Sequence, residues 1–267
     1  MKEEALALAA GFDDPGRRLN VLREYVQAFV LRVLHEQEAF SSIAFVGGTA
    51  LRFLENLPRY SEDLDFSTHD PGGYRPESWL KKIKTELGLA GFDCAVTWNG
   101  RKPVNVAWVR LAGLREEAGL SHRAEHKLSV KLEIDTNPPA GARLVRAVVR
   151  RHMVFALCHH DLPSLMAGKV RALLTRSYPK GRDWFDLMWY RAHRPPIEPN
   201  LDLLRNALDQ TLGEDRVDAG RWRDLLVERL AGIDTAELLR DVGPFLERPR
   251  DRAHFTREHL LDALAIE

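Results

Sequence analysis

The spacing of apolar side chains divides the chain into a mixed N-terminal part and a helical C-terminal part. Apolar residues recur every three or four positions over 17–35, which predicts an amphipathic helix. They alternate strictly with polar residues over 127–135, which predicts a strand with one buried face. Other predicted elements are a short helix ending at Glu55, a helix over 76–88, and strands at 43–46, 63–67, 92–98, 104–110 and 144–149.

After Asp161 the apolar spacing is helical to the end of the chain. Predicted helices cover 162–176, 182–193, 200–211, 221–231, 235–247 and 256–265. Prolines and glycines such as Pro195, Gly213 and Gly232 separate them. Strands that precede a run of helices indicate an α+β fold. We expect a mixed β-sheet lobe with flanking helices over 1–160 and a mostly helical lobe over 161–267.

Composition describes an ordinary soluble globular protein with a basic middle. The 267 residues are 45% hydrophobic, and no apolar run reaches the roughly 18 residues of a membrane span. The N-terminus lacks a signal-peptide pattern and only two cysteines occur, so a cytoplasmic protein without membrane contact is expected. Residues 101–182 carry 16 basic and 6 acidic side chains, a net of +10 in a neutral chain. This block either receives a polyanion or pairs with the acidic ends.

Candidate chemistry begins at Gly47 and Gly48, which follow the apolar run 43–46. A glycine pair at a helix N-terminus offers backbone N–H groups to phosphates. Asp63 and Asp65 are spaced by one residue on a predicted strand, so their side chains share a face. Such a pair can hold one or two Mg²⁺ ions, with Mn²⁺ as the alternative, and the metal can clamp an NTP. Alone, each feature is an ordinary turn or a surface pair; together they predict a nucleotide and metal site.

Further polar residues could complete this site. The hydroxyls of Thr49 and Ser61 flank the glycines and the aspartates, and each either contacts a phosphate or caps and packs. Glu133 and Asp135 lie on the polar face of their predicted strand, where each is a third metal carboxylate or a surface residue. The same choice between phosphate contact and packing applies to Arg52 and Arg59.

Lys169 falls within the apolar stripe of the predicted helix 162–176. A lysine is rarely buried without a partner, so its stem either snorkels outward or its ammonium meets an anion in a cleft between the lobes. Asp183 and Asp186 share a face of the following helix. Asp183 is either a dipole partner near the helix start, or it orients Lys169 or binds nucleotide.

Four motifs together resemble the AbiEii/AbiGii toxin family of nucleotidyltransferases, within the DNA polymerase β-type superfamily. In order they are the glycine turn, Asp63-x-Asp65, the stretch 165–173 and the stretch 181–187. The third is similar to the family's L-x-x-x-K-[LV]-x-A-L and the fourth to its R-D-x-x-D-L. They span about half of the chain. The sequence KLEI at 131–134 also matches a family strand, K-[LI]-[DE]-[IV], which favours Glu133 over Asp135.

The resemblance implies Mg²⁺-dependent transfer of a nucleotide from an NTP to an RNA acceptor, with tRNA favoured, release of pyrophosphate, and growth arrest. It implies Lys169 and Asp183 as catalytic residues that the helical lobe contributes, with Lys169 acting on the triphosphate. It also implies a separately encoded antitoxin with a winged-helix domain. Two alternatives stay open: an antibiotic-type nucleotidyltransferase with a small-molecule acceptor, and a catalytically silent protein that binds nucleotide or a partner protein.

Overall fold

The computed structural model describes residues 1–121, 123 and 126–266, which form two compact units. The first comprises 1–56, 60–137 and 146–159, and the second comprises 57–59, 138–145 and 160–267. The two short segments of the second unit are tied to its helices. Arg59 forms an isolated bridge with Leu246, and the carbonyl of Gly141 accepts a hydrogen bond from the Asn200 amide at 2.8 Å.

The elements up to residue 160 are five α-helices and seven strands among the described residues. They are α1 Lys2–Ala10, α2 Pro15–Glu36, β1 Ile43–Val46, α3 Gly47–Glu55, β2 Leu64–Thr68, α4 Pro76–Leu89, β3 Asp93–Asn99, β4 Val104–Ala112, α5 Leu114–Glu117, β5 Leu128–Asp135, β6 Leu144–Val149 and β7 Phe155–His160. Apolar spacing did not predict β7, because this strand is buried on both faces and its sequence does not alternate. It also did not predict α1 or the four-residue α5.

The described strands form one mixed seven-stranded sheet in the order β3-β4-β5-β2-β1-β7-β6. β1 is antiparallel to β2 and parallel to β7, while β2 is parallel to β5. In register, Val46 of β1 lies beside Asp65 of β2, and Asp65 lies beside Glu133 of β5. The predicted α+β fold with a mixed sheet is confirmed.

Helix α2 begins at a strong local signal and forms the core of the first unit. The side chain of Asp14 accepts a hydrogen bond from the backbone N–H of Arg17 at 2.7 Å, and Pro15 occupies the first helical position. The helix packs against α4 and β5. Its one acidic residue on the buried face, Glu24, accepts from Arg52 of α3 at 2.6 Å and from His152 at 2.9 Å. This buried network ties α3 to α2.

Helices form the rest of the described chain. They are α6 Leu162–Thr175, α7 Gly181–Arg191, α8 Leu201–Leu212, α9 Trp222–Ala231, α10 Thr235–Val242, α11 Asp251–His254 and α12 Arg257–Ala265. The prediction of one helix over 235–247 was wrong, because Pro244 cannot continue the hydrogen-bond ladder and a short 3-10 turn replaces the last residues. Among the residues described, no helix combines the length and apolar content that crossing a bilayer requires.

Helix α7 is central to the second unit, where Trp184 and Tyr190 are fully buried. Its first residue, Gly181, approaches the backbone of α10 so closely that a Cβ atom would overlap the carbonyl group of Leu238. Backbone atoms cannot move aside as a flexible side chain can. The start of α7 therefore depends on glycine for space.

We expect Gly181→Ala to lower the free energy of unfolding by about 1–3 kcal/mol or more, because the two helices must separate. Gly168→Ala in α6 is the matched control, since a Cβ there meets nothing within 4 Å. The control should be stabilised by ~0.5–1 kcal/mol through helix propensity. Urea denaturation of both variants measures the difference, and equal stability would contradict the close packing.

Candidate active site

Gly47 forms the junction at which β1 ends and α3 begins, and it lies directly against Asp65. Its φ of +80° falls in the left-handed region, which glycine adopts without strain. A Cβ at this position would overlap the Oδ2 atom of Asp65. The carboxylate of Asp65 therefore lies at the N-terminus of α3, where backbone N–H groups and the helix dipole favour negative charge. The N-cap residue, Val46, supplies no side-chain hydrogen bond to that terminus.

The residues that flank this junction are held by hydrogen bonds to the backbone. Thr49 is buried, and its hydroxyl donates to the carbonyl of Asp63. The amide of Gln27 donates to the carbonyls of Ser61 and Glu62 at 3.1 and 2.9 Å. The Thr49 hydroxyl thus fixes the segment that carries Asp63. A phosphate contact by Thr49 or Ser61 stays a prediction.

Glu133 is the carboxylate that the sheet register places beside Asp65. It is half-exposed and accepts from Lys131 at 2.7 Å. Burial lowers the pKa of Lys131, but the hydrogen bond to Glu133 and the charges of Glu133, Asp63 and Asp65 outweigh it and raise that pKa above its ordinary value. The three carboxylates and one ammonium therefore form a single electrostatic cluster.

Asp135 occupies a different position from Glu133 on the same strand. Its register partner in β2 is Ser67, and its carboxylate accepts from the backbone N–H of Asn137 at 3.0 Å, where the chain leaves the strand. Within the described part of the chain, no group of three or more His, Cys, Asp or Glu side chains is arranged to hold a metal ion. A metal would need ligands beyond the protein or a movement of Glu133.

A second charged cluster belongs to the helical unit and is centred on Lys169. Its Nζ atom lies 2.9 Å from Oδ1 of Asp183 and 2.7 Å from Oδ2 of Asp186. Burial lowers the pKa of Lys169, but the two carboxylates outweigh it and raise the pKa, so the ammonium is charged. The side chain is only 12% exposed. Lys169 is neither a lone charge nor a snorkelling side chain, because it is paired twice.

Each of these two carboxylates also has an arginine partner. Arg176 donates to Asp183 at 2.6 Å, and Arg59 donates to both oxygens of Asp186 at 2.6 Å each. Burial alone would raise the pKa of Asp183, but Lys169 and Arg176 bring it down to about 2. Asp186 and Arg59, whose roles the sequence left open, are thus structural partners in a fully buried bidentate pair.

Sequence analysis missed two cations of these clusters. Apolar spacing singled out neither Lys131 nor Arg176. The strict alternation of β5, which puts Lys131 on the same face as Glu133, was a usable signal for the first. Arg176 precedes Asp183 by seven residues across a turn, and helical periodicity does not report contacts across turns. The structure also assigns Arg52 to the buried pair with Glu24.

Two solved structures share this fold at low sequence identity. One, from H. pylori and assigned as a nucleotidyltransferase, is 20% identical, aligns over 91% of each chain and gives a TM-score of 0.54. The other is MenT4, a nucleotidyltransferase toxin from Mycobacterium tuberculosis H37Rv. It is 18% identical, aligns over 100% of this chain and 98% of its own, and gives a TM-score of 0.52. The likeness identifies a nucleotidyltransferase fold.

The family itself follows from sequence. The nucleotidyl transferase AbiEii toxin family of type IV toxin–antitoxin systems matches residues 29–263, so the chain belongs to this family and is a nucleotidyltransferase. The family that the sequence resembles is therefore confirmed. Membership implies a nucleotide substrate and an antitoxin partner. No curated protein gives a significant match to this sequence.

The buried cluster predicts a graded loss of stability. Lys169→Met should lower the free energy of unfolding by about 1–3 kcal/mol, because Asp183 and Asp186 each keep one arginine. Arg59→Met should cost about 3–5 kcal/mol, since it removes a bidentate partner from a fully buried carboxylate. Chemical denaturation at neutral pH tests the order. A Lys169→Met protein as stable as the wild type would contradict the double pairing.

Proposed function

We propose that this protein is the toxin of a toxin–antitoxin pair and transfers a nucleotide from an NTP to an RNA, with tRNA as the acceptor, in a Mg²⁺-dependent reaction that arrests growth. One observation carries the proposal. The carboxylate of Asp65 lies against Gly47 at the start of α3, with Asp63 and Glu133 in the same cluster. That arrangement offers an anion-binding helix end and cation-binding oxygens side by side.

The donor set fits Mg²⁺. This ion prefers oxygen ligands, and it is usually bound through one or two carboxylates together with substrate phosphates and water. Asp63 and Asp65 would supply the carboxylates, and Glu133 would be the third once Lys131 releases it. The protein alone need not present three ligands, because an NTP brings its own oxygens. When bound, Mg²⁺, or Mn²⁺ in its place, would neutralise charge on the phosphates.

The backbone N–H groups of Gly47 and Gly48 would hold a phosphate of the NTP at the start of α3, with Ser61 as a further donor. Thr49 would act through its bond to Asp63, by keeping that carboxylate in place. The acceptor hydroxyl, whose proton passes to a carboxylate or to water, would attack the α-phosphorus as the bond between the α-phosphorus and the bridging oxygen of pyrophosphate breaks. The protein's contribution is to position the reactants and to arrange charge in advance.

Lys169 is proposed as a cation toward the triphosphate and Asp183 as the residue that orients it. The 2.9 Å bond between them supports the second role, since a paired ammonium has a fixed direction. An ammonium has three proton donors, so two carboxylates leave one for a phosphate. Transfer by the Lys169→Met protein should fall by about 10²-fold or more.

The remaining proposals concern the setting of the reaction. It would take place in the cytoplasm, where NTPs and tRNA are found together. The antitoxin that family membership implies would carry a winged-helix domain, which could bind DNA and so link toxicity to expression of the pair.

Asp63→Ala and Asp65→Ala should each abolish transfer and leave the fold intact, because both side chains are partly exposed ligand positions outside the core. The assay incubates purified protein with α-labelled NTPs, total tRNA and Mg²⁺, and an EDTA-treated sample tests whether transfer requires the metal.

Glu133→Gln should also lose transfer. Asp135→Asn, on the same strand, is the matched control and should keep it. Label transfer that survives in both aspartate variants would refute the mechanism, and labelling of a drug instead of RNA would favour a small-molecule acceptor.

Growth arrest is tested in cells. Induction of the wild-type chain without its antitoxin should slow a bacterial host, whereas the Asp65→Ala chain at equal expression should not. The Asp65→Ala chain is the control, because it keeps the fold but should lack transfer activity. A difference in growth between the two cultures therefore reports catalysis. Equal growth of both cultures would contradict a toxin role.

A further inference from the structure

Strands β3, β4 and β5 present a partly exposed face beside the carboxylate cluster of Asp63, Asp65 and Glu133. Along β4 and β5 alternate residues are buried, and the residues between them are half-exposed. Residues paired in register share a face of the sheet. Asp65 pairs with Glu133, Glu133 with Val106, and Val106 with Asn99. The face that carries the carboxylates therefore continues without interruption across β4 to the edge strand β3.

Trp108 lies on the same face of the sheet, two residues after Val106 along β4. Its register partners are Lys131 on β5 and Thr97 on β3. Lys131 donates to Glu133 of the carboxylate cluster at 2.7 Å, so the tryptophan lies one strand beyond the cluster. Two strand spacings separate β2 from β4, or ~10 Å. The indole of Trp108 is half-exposed, although large aromatic side chains usually bury most of their surface.

Two cations accompany the ring. The guanidinium of Arg110 lies 5.2 Å and the ammonium of Lys131 lies 5.8 Å from the ring centroid. Arg110 also donates to the hydroxyl of Thr97 at 2.9 Å, an exposed contact. A cation–π contact at an exposed site is weaker than the stacking of a base on an aromatic ring. A base can therefore displace Arg110 from the ring, and the freed guanidinium can meet the adjoining phosphate.

We propose that Trp108 is a stacking platform for a base near the end of a single-stranded RNA acceptor, with Arg110 and Lys131 as its phosphate contacts. The inference deepens the proposed function, on which it rests, by naming where the acceptor strand binds. Aromatic rings on a sheet surface flanked by arginine or lysine are a general means of binding single strands, since every base has a π-face.

Charge complementarity supports a polyanion as the occupant. Two further cations, Arg101 and Lys102, are exposed in the turn that joins β3 to β4. With Arg110 and Lys131, they place four cations on or next to strands β4 and β5. A protein partner on this face would have to be acidic and to bury a tryptophan already covered by two cations. A nucleic acid needs only a base and a phosphate.

The test is direct binding of a fluorescein-labelled eight-nucleotide oligoadenylate RNA to the full chain, followed by anisotropy without NTP or metal. Trp108→Leu should weaken binding by about tenfold or more, and Trp108→Phe should bind within about threefold of the wild type. Trp98→Leu is the matched control, because its register partner Ala107 belongs to the buried face. Arg110→Gln should reduce the slope of log Kd against log salt by about one.

Kinetics supply a second measurement. In the tRNA transfer assay, Trp108→Leu should raise KM for the acceptor and leave KM for the NTP unchanged.

The proposed platform would be overturned if Trp108→Leu bound the oligonucleotide as tightly as the wild type. It would also be overturned if Trp108→Leu and Trp98→Leu lost binding equally. Loss of antitoxin binding alone would assign the face to a protein and overturn it too. Oligonucleotide binding that depends on Trp108 without any transfer to tRNA would support the platform and refute the proposed reaction.

Discussion

The contact between the Asp65 carboxylate and Gly47 is the constraint on which the candidate site depends. It requires β1 to pass into α3 without an intervening loop, and it requires β2 to pair antiparallel with β1 so that Asp65 meets that junction. Only glycine satisfies both the positive φ and the lack of space for a Cβ. A negative charge is thus held at a helix N-terminus that itself attracts anions, and this arrangement suits a bound cation shared with phosphate.

The two acidic clusters of the chain differ in how their charge is balanced. Glu133 is half-exposed and shares the ammonium of Lys131 with the neighbouring carboxylates. Replacing this ammonium with another cation costs little free energy, because the ion pair is partly exposed to solvent. Asp183 and Asp186 are buried and each accepts from two cations, so removal of one cation leaves a buried carboxylate with a single partner. The first arrangement suits a site that gains and loses ligands. The second suits a permanent support for Lys169.

Charge is also unevenly distributed along the strands. The β4–β5 face joins the carboxylate cluster to Trp108 and two cations within one layer of side chains. A single strand laid on that face would meet positive charge and an aromatic ring before it meets the carboxylates. The short pairing distances of a sheet make this order possible, because each strand adds one step of ~5 Å.

The sequence by itself determined the elements with clear periodicity and the residues whose spacing is local. It placed β1, β5 and β6 closely and identified Gly47, Asp63 and Asp65, because alternation and glycine turns are properties of neighbouring residues. It missed β7, which is buried on both faces, and it extended α10 through Pro244. The family resemblance favoured Glu133 over Asp135, but only the tertiary structure showed that Glu133 lies beside Asp65, since strand register depends on pairing between distant segments. Tertiary structure likewise decided that Lys169 is paired, because helical periodicity shows which face a residue occupies but not which charges lie opposite.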